Sequence, residues 1–159
     1  MSLNDLEKKQ LILIKYLNQI ISYFTTDKWL VKAEYSTNDN DKNVVVVQEQ
    51  SGQKEVFYGD IFPLYNYYMV DIYGLSIEKC KNLSLMFGNL IGKSITIEDE
   101  VEEEGTTYID KWQIIFSQYV NPQTVNYLDI KRIAYTSTLK CIVNKVYRKE
   151  KWKYAMVYK

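Results

Sequence analysis

Histidine is absent from the 159 residues, and there are only two cysteines, two prolines and six glycines. Without histidine the Ser-His-Asp, Cys-His and His-metal arrangements are excluded, because no other side chain ordinarily titrates near neutral pH. Cys80 and Cys141 lie far apart in apolar-periodic segments and read as buried thiols, not as a zinc site or a disulfide framework. The glycines stand singly at 52, 59, 74, 88, 92 and 105, so neither a P-loop nor a dinucleotide fingerprint exists. No serine sits in a nucleophile elbow. No apolar run reaches the ~18–20 residues of a membrane-spanning helix, and the N-terminus lacks a signal-peptide pattern. The expectation is a soluble protein made inside the cell, without membrane partners.

What is present is an ordinary globular composition, 47% hydrophobic and 25% charged, long enough to bury a sizeable core as one domain over 1–159. Tyrosine is the excess, with 15 copies. Aromatic rings suit pleated, half-buried surfaces and interfaces where the ring is dry and the hydroxyl wet.

Periodicity divides the chain. Leu3, Leu6, Leu13, Leu17, Ile20 and Phe24 recur at helical spacing, with Gln10 the one break, and predict a helix over about 3–24. Asn4 and Glu7 fit a capping box. From Trp29 the period becomes two, and the polar residues 37–43 before Val44, Val45, Val46 and Val47 predict a hairpin whose second strand is covered on both faces. Residues 55–58 read as a short extension and 65–73 as a third long strand. Ser76 fits the N-cap of a second helix over about 76–91, with Ile77, Cys80, Leu83, Phe87 and Leu90 on its apolar side. Residues 94–97 begin a strand, 98–105 read as an acidic loop, and strands follow over about 107–158, broken at Asn121-Pro122 and by a connecting piece at 127–130. The fold class predicted is α+β: a mostly antiparallel twisted sheet with two helices packed on one face.

The zero net charge hides a partition. Residues 131–159 hold 9 of the 20 basic side chains and 1 of the 20 acidic ones, a balance of +8, so residues 1–130 hold 11 against 19, a balance of −8. Three readings are open: a basic C-terminal segment that binds nucleic acid, head-to-tail self-association, or two ends that meet in the fold and neutralise each other. Glu98, Asp99, Glu100, Glu102, Glu103 and Glu104 form the acidic cluster. Its solid block of charge lacks the interleaved Asn and Gly of a calcium loop, so no metal ligands are assigned. Lys145, Arg148, Lys149, Lys151 and Lys153, with Trp152 and Tyr154 as aromatic anchors, form the complementary basic set expected to meet that cluster on a neighbouring subunit. No catalytic or cofactor-binding residues are assigned.

One stretch carries a family likeness. The segment WQIIFSQYVNPQTVNYLDIKRIAYTSTLKCIV, preceded by an N-terminal helix, a hairpin and NLSLMFGNLIGKSITIE, resembles the small neck and tail-completion proteins of tailed bacteriophages, particularly tail terminators. Gln118-Tyr119, the Asn121-Pro122-Gln123 turn and the run from Tyr127 to Tyr135 carry the motif. The resemblance implies a non-enzymatic virion protein without cofactors, assembled in the host bacterial cytoplasm. It also implies a ring, commonly a hexamer, that caps the tail tube where head-completion proteins dock, with DNA at most passing through its lumen.

Overall fold

Helix α1 (Asp5–Phe24) opens the computed structural model of the chain, which describes residues 5–36, 38, 42–49, 66–120, 123–129 and 132–151. The strands are β1 (Trp29–Lys32), β2 (Asn43–Glu49), β3 (Asn66–Gly74), β4 (Ser94–Glu103), β5 (Thr106–Tyr119), β6 (Gln123–Asp129) and β7 (Arg132–Glu150), with helix α2 (Ile77–Gly88) between β3 and β4. They form one seven-stranded sheet in the order β1-β2-β3-β7-β5-β4, with β6 beside β7. Every pair is antiparallel except β1 with β2. The α+β class holds.

The hairpin expected at 29–47 is corrected. Trp29 faces Asn43 and Lys32 faces Val46 in parallel register. Side-chain alternation is identical for both strand directions, so period two carries no information about direction. β2 therefore begins beside the start of β1, not beside its end. The four valines do behave as expected, since Val44, Val45, Val46 and Val47 are all buried. Val45 and Val47 join the core beneath the helices, and Val44 and Val46 point to the opposite face.

Both helices pack on one face. Ile12, Leu13, Leu17 and Ile21 of α1 and Cys80, Leu83, Met86 and Phe87 of α2 share a core with Val70, Ile72, Leu139, Cys141, Val143, Trp112, Ile114 and Phe116 from the sheet. Gln10, the polar break in the α1 stripe, has a structural use. Its Nε2 donates to the Val47 carbonyl at 2.7 Å, one residue beyond the end of the β1 pairing. That bond satisfies a strand-edge acceptor which burial would otherwise leave at a cost. Ser76 caps α2 as predicted: its backbone is extended and its side chain accepts from the Lys79 N–H. The helix stops at Gly88, and Gly92 takes the left-handed conformation (φ +84°) after one further turn.

β7 is the spine. Residues on one of its edges bond β3 from Ile133 to Cys141, while the other edge bonds β6 and then β5. The connecting piece expected at 127–130 is therefore corrected, because most of it belongs to β6. Asn4, residues 55–58, Asn121, Pro122, Trp152, Lys153 and Tyr154 lie outside the described residues.

One core side chain is poorly matched to its surroundings. Tyr68 is fully buried, its hydroxyl has no hydrogen-bond partner among the described residues, and burial pushes its pKa upward. An unsatisfied buried hydroxyl costs about 1–3 kcal/mol. Tyr68→Phe removes that oxygen and keeps the ring, so denaturant unfolding should show a gain of about 1 kcal/mol. A loss of stability would mean that the hydroxyl is satisfied.

Candidate functional site

The predicted acidic loop is a strand. β4 runs without interruption from Ser94 to Glu103, and only Glu104 and Gly105 make the turn into β5. Both turn residues have positive φ, +50° and +79°. That pair of conformations is the two-residue hairpin turn whose twist matches the strands it joins. Glycine at the second position takes it without strain. The sequence misleads here because acidic residues are poor strand formers. Ile95, Ile97 and Val101 nevertheless alternate through them and pack one side of the strand.

A two-residue turn fixes which β4 groups face β5. Glu103 and Thr106, flanking the turn, form a hydrogen-bonded pair, and the pattern alternates from there. Ser94, Thr96, Glu98, Glu100 and Glu102 consequently turn their N–H and C=O groups away from β5. Lys15 agrees with this assignment: its Nζ donates to the outward Glu98 carbonyl at 3.3 Å. The side chains of these five residues are all exposed.

The opposite side of the hairpin holds an ionic ladder. Asp99, Asp110 and Arg148 are register mates on β4, β5 and β7. Arg148 donates to both oxygens of Asp110, at 2.6 and 2.9 Å, and to both oxygens of Glu103, at 2.8 and 3.3 Å. Its guanidinium lies 4.8 Å from the centre of the Tyr108 ring, over which it reaches β4. The Asp110 side chain is 2% exposed. The hydrogen bonds from Arg148 hold the Asp110 and Glu103 carboxyls below the usual carboxylate range, against a smaller opposing effect of burial. Lys8 and Lys15 of α1 grip Asp99 at 2.7 and 3.2 Å, and on the exposed side of β4 Lys151 pairs with Glu100 at 2.8 Å.

Glu100, Glu103, Arg148 and Lys151, expected to pair between subunits, therefore pair within one chain. The strand order brings this about, since β5 separates β4 from β7 by a single strand. Of the three readings of the charge partition, local neutralisation is realised at these residues. Glu98, Glu102, Glu104, Lys145 and Lys149 remain exposed around the ladder. Asp110, Tyr108, Lys8 and Lys15 were not anticipated. The seven-residue spacing of Lys8 and Lys15, two turns of helix, was the available signal for the last two.

Cys80 and Cys141 are buried thiols, and burial pushes Cys141 up to about 12, where it stays protonated and inert. Among the described residues no group of three or more His, Cys, Asp or Glu side chains is placed to hold a metal ion. No helix among them is long and apolar enough to cross a membrane. Neither a protein-family model nor a curated protein matches the chain.

Proposed function

We propose that the chain is a structural subunit of a tailed-phage virion, a tail terminator or head-to-tail joining protein that forms a ring at the neck. The observation that carries the reading is a sheet ending in a ten-residue strand with outward backbone groups, on a molecule that also exposes large apolar side chains. Tyr23 is 82% exposed, Leu85 68% and Val146 55%. Such surfaces suit a subunit that works by contact. The order of helices and strands supports the same likeness.

The mechanism is steric and electrostatic. A ring seated on the tube presents a surface to which no further tube subunit adds, and offers its other face to the head-completion proteins. Head-to-tail contacts between copies close into a ring when the rotation between neighbours divides a full turn. Multi-angle light scattering of the purified full chain should give one discrete multiple of 18.9 kDa, with annular particles by negative-stain microscopy. A stable monomer at high concentration, with no rings in the micrographs, overturns the reading.

A further inference from the structure

The outer edge of β4 is open to a further strand. β4 stands last in the strand order and pairs with β5 alone among the described residues. A neighbouring strand would bring a backbone N–H to the outward Glu98 carbonyl, and that place is held by the Lys15 ammonium at 3.3 Å. Ser94 and Thr96, whose side chains are too short to reach past a neighbouring strand, are exposed on the same edge. An edge of this kind is a template for strand addition.

The charges on the two sides of β4 specify what an added strand carries. Lys8 and Lys15 of α1 hold Asp99 on the helix side, so by strand alternation Glu98, Glu100 and Glu102 point to the other face, where they are exposed. Their N–H and C=O groups also aim outward, so the residues of an added strand directly opposite them place side chains on that same face, and carboxylates there favour cations. Lys151 reaches Glu100 from the β7 side at 2.8 Å, and the decisive pairs are those at Glu98 and Glu102. On the helix side the ammonium groups of Lys8 and Lys15 repel a further cation, so the intervening residues are uncharged. A second β4 does not meet this requirement, because it sets carboxylate against carboxylate.

We infer that the β4 edge is a docking site for a basic extended segment of another protein, with Lys or Arg at alternate positions and uncharged side chains between, which adds to the sheet as a further strand. Main-chain hydrogen bonds supply the attraction common to all strand addition, and the charges set partner and register. Lys15 is the gate. Its ammonium gives up the Glu98 carbonyl to the incoming N–H and is retained by Asp99, already 3.2 Å away. The exchange replaces one exposed side-chain bond with a main-chain ladder along a ten-residue strand. The site goes beyond the ring reading and does not depend on it, since it needs one copy of the chain and one foreign strand.

The probe is the acetylated peptide Thr-Lys-Val-Lys-Val-Lys-Thr, fluorescently labelled and titrated by anisotropy against the full-length chain. A block-ordered peptide of the same composition, Lys-Lys-Lys-Val-Val-Thr-Thr, carries equal charge without the alternation and should bind about tenfold more weakly. Thr96→Pro deletes an outward donor that β4 does not use towards β5, and should weaken the alternating peptide about tenfold. Glu98→Lys with Glu102→Lys should abolish its binding and transfer the preference to Thr-Glu-Val-Glu-Val-Glu-Thr. Lys15→Ala, which clears the Glu98 carbonyl, should tighten the alternating peptide about two- to fivefold. Thermal melts establish the folding of each variant. Equal binding of the two basic peptides, or unchanged binding in folded Thr96→Pro, reduces the contact to general charge attraction and overturns the docking site. A wild-type chain that binds neither peptide overturns it as well. If Thr96→Pro does not fold, the exchange of preference in the Glu98 and Glu102 pair decides, and without that exchange the site falls. Every outcome is read at the peptide, while the mass of the peptide-free chain tests the ring reading separately.

Discussion

Gly74→Ala should lower the unfolding free energy by about 2 kcal/mol, and adding Cys80→Ala should return about half of that loss. Gly74 ends β3 where the chain turns into α2, and a Cβ built there collides with the Cys80 Sγ and lies 3.3 Å from the Ser76 carbonyl. Its φ is not in the left-handed region, so the requirement for glycine is one of space. Both residues are buried, and Cys80 sits in the core beneath α2, where its sulfur has little room to retreat. Overpacking of this kind costs about 1–3 kcal/mol. The lost backbone freedom of glycine in the unfolded chain opposes it by about 0.4–1 kcal/mol. The clash wins. In a chain of this length the expected fall in Tm is about 4–8 °C. Removing the sulfur alone should cost about 1 kcal/mol through lost packing. The decisive quantity is the coupling. If strain at the Sγ is the mechanism, the double variant is more stable than the sum of the two single losses by about 2 kcal/mol. Additive losses would assign the cost of Gly74→Ala to the Ser76 carbonyl instead.

The two helices were legible because a 3.6-residue apolar period is a direct image of a one-sided helix. α1 and α2 stand where Leu13, Leu17, Leu83 and Phe87 placed them. The long strands β3 and β5 were legible for the same reason at period two. Strand direction was not, because Trp29 and Val31 alternate alike whichever way β1 runs. β4 was missed over its second half because its charges dominated the composition. An edge strand needs only one buried side, and Ile95, Ile97 and Val101 supply it. The charge partition was visible as a number, but its outcome depended on topology. Only the strand order reveals that the acidic and basic runs flank the same strand, so that Arg148 meets Glu103 within one molecule. Asp110 gave no sign of its place in the ladder, since a single carboxylate in an apolar strand looks the same whether or not a cation waits across the sheet.

That ladder makes the second large prediction. Arg148→Ala strands the nearly enclosed Asp110 carboxylate and frees Glu103, and it removes the guanidinium from the Tyr108 ring. Stripping one partner from a fully buried pair costs about 3–5 kcal/mol. Arg148 keeps 30% of its side chain exposed, and water screens part of the interaction, so about 2 kcal/mol is expected at pH 7. The pH dependence carries the mechanism. Asp110 and Glu103 are held below their ordinary values in the folded chain, Arg148's hydrogen bonds being the largest cause. In the unfolded chain they take up protons at about pH 4. Between the two values the unfolded state binds more protons, so acid favours it. The stabilisation is complete above the unfolded values and drains away as pH falls through the folded ones. Urea unfolding of wild type and Arg148→Ala should therefore give curves well separated at pH 7 that draw together as pH falls below the ordinary carboxylate range. A gap that stays constant across that range would mean that Arg148 stabilises the sheet through the packing of its stem on Tyr108, with the carboxylates contributing little.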